Sequence, residues 1–379
     1  MMIESLALAG ALAASLIGAE LTARALLKRR DDWFVHRPFS RAEYTIDPEA
    51  FPMLPPTVHV SANPQGERGS PLPRKPEELY RILVAGGSAA ECYMLDQPHT
   101  WPMVTQEILN GSAGRRSLAH VGNIACSLIP CRSITPLLNR ILPRARSLDV
   151  IVLMVGASDL VDWFEKKTPP VIDGARKDLH LFCSEHPEGD FSWAPNRTAL
   201  YRVGRRLQAR VLKPVHRRSK VGAARIKHRA MRARCQTILT ETPDPSPMLD
   251  AFRAHLTSLI ALCKEHSAEV LIARQPWLDA DLPPEKERQL WNFGQGRPYQ
   301  SEPEAYYAIS LVRALMAKVD AVAAEVAEAE GVQQLDLRAR VPSDLDHYYD
   351  FLHHTPLGAR CVGAAVADKL TEIESNQPN

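Results

Sequence analysis

Two short stretches in opposite halves of the chain carry residue types that together could activate a hydroxyl. The first is Arg81-Ile82-Leu83-Val84-Ala85-Gly86-Gly87-Ser88. Four apolar residues in a row, two of them β-branched, read as a short strand buried in a parallel sheet. The two glycines then permit a tight turn that side chains would block. Ala89 to Leu95 read as a helix start, aiming backbone N–H groups at whatever Ser88 attacks. A serine at a strand's carboxyl end, beside a helix N-terminus, is well placed as a nucleophile. The second stretch runs from Tyr348 to Gly358 and contains Asp350-x-x-His353. A serine nucleophile needs a base near it, and the base needs an orienting carboxylate on its other ring nitrogen. Asp350 and His353 supply both from a single turn, whereas the spacing of His354 to Asp350 does not suit this arrangement. Taken singly each motif is weak, since Gly-Gly-Ser turns and Asp-x-x-His spacings are common by chance.

The elements that must position them follow from periodicity. Met103 to Leu109 reads as an amphipathic helix and Leu118 to Asn123 as a strand ending in a Gly turn. A helix from Ser133 to Arg140 leads to Asp149-Val150-Ile151-Val152-Leu153-Met154-Val155, the clearest buried strand, which breaks at Gly156-Ala157-Ser158-Asp159. Apolar residues at helical spacing from Met248 to His266 precede a strand at Glu269 to Ala273, with Gln275-Pro276-Trp277 at its end. A long alanine-rich helix over Ala305 to Glu330, a short strand over Val332 to Leu337 and a final helix over Ala359 to Ile373 complete the chain. Strands alternating with helices, each strand ending in Gly and small polar residues, indicate an α/β fold with its site at the strand ends.

At 379 residues the chain can bury a substantial core, and its 45% hydrophobic and 24% charged content are ordinary for a globular protein. The net charge of +2 hides an asymmetry: Tyr201 to Arg234 holds thirteen Lys/Arg and no acid, leaving the rest near −11. This basic helical insertion, about 160–247, reads either as a solvated arm or as a surface for anionic lipid headgroups. Nucleic acid is not expected, because no reading helix, stacking aromatics or recognised motif accompanies the charge. Ser5 to Leu27 is long and apolar enough to span a bilayer if the Glu20 and Arg24 pair, one turn apart, is included. With no basic residues before it and Lys28-Arg29-Arg30 after it, residues 1–30 read as an uncleaved membrane anchor, the bland alternative being a core-docking helix. Residues 31–80, with many prolines, read as an ordered connection, and 81–375 as the catalytic domain. The seven cysteines lack paired spacing and read as buried or free thiols, and no metal or organic cofactor is indicated.

Ordered together, these blocks resemble the SGNH (GDSL-like) hydrolases, over roughly residues 60 to 373 without the insertion. Gly-Gly-Ser88 is similar to the family's first block, Gly122 to the second, Gly156-Ala157-Ser158-Asp159 to the third, and Asp350-x-x-His353 with Gly358 to the last. Asn63 to Gly69, Thr100-Trp101-Pro102 and Gln275-Pro276 are similar to its membrane-anchored bacterial branch. The resemblance implies a three-layer α/β/α sandwich around a central parallel sheet, flavodoxin-like, that hydrolyses or transfers an ester-linked acyl group. Ser88 would be the nucleophile, His353 the base and Asp350 its orienter, with backbone N–H groups of Ser88 and Gly122 stabilising the oxyanion. Two departures stand out: Ser158 occupies the position of an oxyanion-donating asparagine, and His120 occupies another asparagine position, leaving Asn123 as a substitute donor. Three readings follow: an esterase or deacylase acting on an acylated sugar, envelope polymer or lipid; an acyltransferase using the same residues; and a non-catalytic subunit of a membrane assembly. Basic residues after the anchor and unpaired cysteines place the globular part in the cytoplasm, whereas the resemblance favours envelope substrates outside.

Overall fold

The computed structural model describes residues 2–27, 34–36, 38–73, 75–113, 115, 117–145, 148–166, 191–195, 198–211, 216–287, 290, 293–295 and 303–376. The strands are β1 (Arg41–Ile46), β2 (Thr57–Ser61), β3 (Tyr80–Gly86), β4 (Ala119–Asn123), β5 (Leu148–Met154), β6 (His216–Val221), β7 (Ile238–Leu239), β8 (Ser267–Arg274), β9 (Tyr306–Tyr307) and β10 (Gln333–Asp336). The helices are α1 (Met2–Leu27), α2 (Ser88–Glu91), α3 (Trp101–Gly111), α4 (Cys131–Ile141), α5 (Ala157–Lys166), α6 (Ala199–Val211), α7 (Ala223–Arg234), α8 (Ser246–Lys264), α9 (Pro284–Glu287), α10 (Ile309–Ala329) and α11 (Pro356–Asn376).

Five strands form an all-parallel sheet in the order β10-β8-β5-β3-β4. Counted along the chain this is the 2-1-3-4-5 order of a doubly wound sheet, whose crevice opens where the winding reverses, between β3 and β5. Alternate residues of each strand feed opposite layers. Leu83, Ala85, Ile151, Leu153, Val270 and Ile272 enter the core shared with α4, α8 and α10. Ile82, Val84, Val150, Val152, Leu271 and Ala273 enter the core under α3 and α11. The apolar runs are uninterrupted because both faces of the sheet are covered. The α/β/α sandwich expected from the sequence is therefore present.

Around this core the sequence reading needs amendment. The 31–80 connection carries β1 and β2, which pair antiparallel, and β6 joins β1 in parallel from the middle of the basic segment. That segment is thus not purely helical: helix α6, strand β6 and helix α7 follow one another, and Arg225, His228 and Met231 on α7 are buried. Most of the insertion before α6, 167–190, lies outside the described residues, as does Cys183. The six described cysteines are unpaired.

Helix α1 is long and apolar enough to cross a membrane over Ala7–Leu27. Leu8, Leu12, Leu16, Ile17, Leu21 and Leu26 are exposed on it. Its last turns dock on α6: the buried Glu20 carboxylate accepts from the backbone N–H groups of Ala199 and Leu200, at 2.8 and 2.9 Å. Glu20 thus satisfies donors that a helix start leaves open. Arg24 donates to Glu20 at 2.6 Å and to the Ser192 carbonyl at 2.8 Å.

Candidate active site

Strand β3 ends on the Gly86-Gly87 turn, and Ser88 opens α2 directly beyond it. Side chains are excluded from this turn by close approach. A Cβ on Gly86 would overlap the Met154 carbonyl oxygen of β5, and one on Gly87 would lie 2.8 Å from Ser158 Oγ. The helix is shorter than the sequence suggests, closing at Glu91 with Cys92 in a left-handed conformation (φ 55°). The carbonyls left open there are collected by the buried guanidinium of Arg68, which donates to Glu91, Cys92 and Leu95 oxygens at 2.5, 2.6 and 2.6 Å. A charged fork bound to three carbonyls fixes the far end of the turn that presents Ser88.

The loop before α11 brings the other two residues. Asp350 Oδ1 accepts from the backbone N–H groups of Leu352 and His353, both at 2.9 Å, which folds the four-residue span into a turn. The His353 ring then lies with Nδ1 2.8 Å from Asp350 Oδ1 and 2.9 Å from Oδ2. Its Nε2 is 2.7 Å from Ser88 Oγ. The geometry requires an Nδ1–H donating to the carboxylate and a bare Nε2 facing the hydroxyl, the tautomer a general base needs. Burial alone would raise the Asp350 carboxyl, but the charge and hydrogen bond of His353, the Arg225 guanidinium and the Leu352 N–H bring it down to about 2. It is a carboxylate throughout the neutral range. His354 faces elsewhere: it is buried against Tyr348, and loss of hydration pushes its imidazole down to about 3.

A cavity of about 520 Å³ opens over this dyad. Ser88, Ser158, Asp350 and His353 line it together with Val35, Met94, Leu128, Val161, Phe293 and Phe351. Thus Ser158 reaches the site, with its hydroxyl against Gly87.

The second block is placed differently from the expectation. Gly122 lies within β4, paired with Leu83, and takes no part in lining the cavity. A Cβ there would sit 2.7 Å from the Glu67 carboxyl carbon, so this glycine makes room for a buried acid rather than for an oxyanion. Asn123 is likewise turned inward. Its Nδ2 donates to the Ala90 carbonyl at 2.8 Å and its Oδ1 accepts from Ala125 N–H at 2.9 Å, tying β4 to α2. His120 sits in β4 with Nε2 3.2 Å from the Ser70 carbonyl. The β4 loop reaches the cavity three residues further on, through Cys126, Ser127 and Leu128. Ser127 N–H is bound to Glu91 at 2.6 Å.

Two contacts at the site escaped the sequence. The Tyr349 ring stacks on the His353 ring at 5.5 Å and 8°. Arg225, from α7, lies 3.5 Å from Asp350 Oδ2. The trace of the latter in the sequence is a spacing of three through Arg225, His228 and Met231, hidden in a run of cations.

Fold and site thus define a doubly wound α/β protein with a Ser-His-Asp constellation at the switch point of its sheet, the layout that the resemblance to SGNH hydrolases implies. No family model matches the chain, and no curated protein matches it significantly. Among solved structures it is similar to a catalytic mutant of the acetylxylan esterase Axe2 from Geobacillus stearothermophilus, at 12% identity and a TM-score of 0.42, covering 78% of this chain and 94% of that one. It is also similar to a carbohydrate acetylesterase family member from Sinorhizobium meliloti, at 13% identity and a TM-score of 0.40, covering 77% and 98%. At such scores the likeness is loose, and what this site can do rests on its own distances.

Proposed function

We propose that the protein is a serine ester hydrolase of the SGNH type, with Ser88 as nucleophile, His353 as base and Asp350 as its orienting carboxylate. The observation that carries this reading is the continuous relay from Asp350 through His353 to Ser88 Oγ, at 2.8 and 2.7 Å. In the first half-reaction Ser88 Oγ bonds to the ester carbonyl carbon while its proton passes to His353 Nε2. The C–O bond to the alcohol then breaks, and the alkoxide takes that proton as it leaves. A water, or an acceptor hydroxyl in a transferase, then bonds to the acyl carbon and gives its proton to Nε2; the acyl C–Oγ bond breaks, releasing the acid or the new ester, and Ser88 Oγ takes the proton back from Nε2. Oxyanion donors in this reading are the Ser88 N–H at the start of α2 and the Ser158 hydroxyl, both beside the reacting carbon's position. Metal-free chemistry of this kind asks for no further group.

The cavity supports an apolar acyl portion larger than acetyl. Its volume falls in the range of small-molecule sites, and Val35, Met94, Leu128, Val161, Phe293 and Phe351 offer hydrocarbon rather than hydrogen bonds. The exposed leucines of α1 support a membrane anchor, which would hold this site close to acylated lipid or polymer at the membrane surface. Among the described residues of the basic segment, Lys220, Lys227 and Arg234 are exposed and would be open to anionic headgroups.

The test is labelling of the purified protein with a fluorophosphonate probe, comparing wild type with Ser88→Ala and His353→Ala. Labelling that requires both residues is the expected result. A folded wild type that does not label would overturn the hydrolase reading in favour of a non-catalytic subunit.

A further inference from the structure

The basic segment contains a cation that does not face solvent. Arg225 is 2% exposed and sits between three parts of the site. Its Nη2 donates to the Tyr349 carbonyl at 3.2 Å, its Nη1 lies 3.5 Å from Asp350 Oδ2, and its guanidinium carbon stands 4.7 Å over the ring of Phe51. One helical turn on, Arg229 donates to the Glu49 and Ala50 carbonyls at 2.7 and 2.8 Å, pinning α7 to the turn that carries Phe51. Phe51 in turn meets the Tyr349 ring edge-on at 5.6 Å, and Tyr349 stacks on His353. A continuous run of contacts therefore leads from the insertion to the base. Burying a guanidinium is costly, and here the charge of the triad carboxylate, the Tyr349 carbonyl and an aromatic face offset part of that cost.

We propose that Arg225 is a positioning residue for the triad: its fork holds Asp350 and the Tyr349 carbonyl in one geometry, and its charge tempers the pull of the carboxylate on a proton at His353. The inference rests on the hydrolase reading. It assigns the insertion a part in the chemistry, because α7 carries this side chain to Asp350 and to the Tyr349 carbonyl. The sign of the charge effect is fixed. A cation beside Asp350 offsets part of the negative potential felt by the imidazole, so removing it favours the protonated ring, and the rate falls off at a higher pH. Among the described residues, the charged and titratable groups around the pair come from four sides. Glu91, Cys92 and Tyr93 come from the α2 side, His347, Tyr349 and His354 from the same loop, His36 from the cavity wall, and Arg225 backed by Arg229 from α7.

The experiment is the rate of Ser88 labelling by a fluorophosphonate across pH 5 to 9, on the full chain, for wild type, Arg225→Met and Arg225→Lys, with thermal melts as a folding control. For Arg225→Met the acidic limb should move up by about half to one pH unit, with the plateau rate about tenfold lower. For Arg225→Lys the limb should return close to wild type while the plateau stays about five- to tenfold low, since an ammonium restores the charge and not the fork. A wild-type limb and plateau in Arg225→Met would overturn the proposal. So would an equal loss at every pH in both variants, or failure of both to fold, either of which makes Arg225 a purely structural residue. An unlabelled wild type would instead strike at the hydrolase reading itself.

Discussion

Asp350 and Asp159 are both buried carboxylates at the carboxyl edge of the same sheet, and their surroundings drive them in opposite directions. Asp350 faces an imidazole, a guanidinium and two backbone N–H groups, and is held at about 2. Asp159 opens α5, where burial pushes its carboxyl up to about 7 against the pull of the Cys131 N–H. That N–H lies 3.1 and 3.0 Å from the two Asp159 oxygens, at the start of α4. The nearby cation Arg132 is engaged 2.7 Å away with Asp162. Loss of hydration is common to both sites, so what separates them is whether a positive charge compensates for it. A carboxylate meant to stabilise an imidazolium must be charged at working pH, whereas one that holds a helix N-terminus can serve with a proton on.

The largest expected effect breaks the contrast from the Asp350 side. Asp350→Asn keeps an oxygen for the Leu352 and His353 N–H groups but turns an amide donor or an uncharged acceptor toward His353 Nδ1. Ring tautomer and imidazolium stabilisation are lost together, and the labelling rate of Ser88 should fall by about 10³ to 10⁴. A loss below tenfold in folded protein would mean that the carboxylate charge is not what orients the base.

How much of this was legible in the sequence divides along the same line between local and assembled features. Ser88 on its Gly-Gly turn and the Asp350–His353 turn are each made by neighbours in the chain, so their motifs could be read directly. The strands β3, β5 and β8 were legible because burial on both faces leaves uninterrupted apolar runs. Gly122 was misread for a physical reason. An oxyanion donor is a backbone N–H that any residue can supply, while a glycine can equally mark close packing, here against Glu67. Strand β6 was invisible because His216-Arg217-Arg218-Ser219-Lys220-Val221 has no alternation and pairs with β1 from far along the chain. Arg225 was invisible because nothing distinguishes a buried arginine from its exposed neighbours until the fold is known.

A smaller effect sharpens the contrast through stability. With its folded carboxyl near 2 and an unfolded value of about 3.9, Asp350 contributes stability that is fully present above pH 4 and lost as pH falls toward 2. Asp350→Asn should be less stable than wild type at pH 7, because Arg225 then lacks its counter-ion. The two melting curves should converge in that acid window, as the wild-type carboxylate takes up its proton. Parallel curves from pH 7 to pH 2.5 would show that Asp350 is not depressed in the folded state.

The smallest effect comes from the other carboxylate and carries the opposite sign. The folded Asp159 carboxyl near 7 lies above its unfolded value of about 3.9, so its contribution is complete below pH 4 and is lost as pH rises through 7. Asp159→Asn mimics the protonated form: one oxygen still accepts from Cys131 N–H, and no charge appears at alkaline pH. The variant should therefore match wild type near pH 4 and gain on it by a few degrees of melting temperature between pH 6 and 8. Ser88 labelling at neutral pH should change less than threefold, since Asp159 answers to α4 and not to the base. A variant that instead loses ground as pH rises would mean that Asp159 is ionised and paired in the native state, and the division between the two carboxylates would fail.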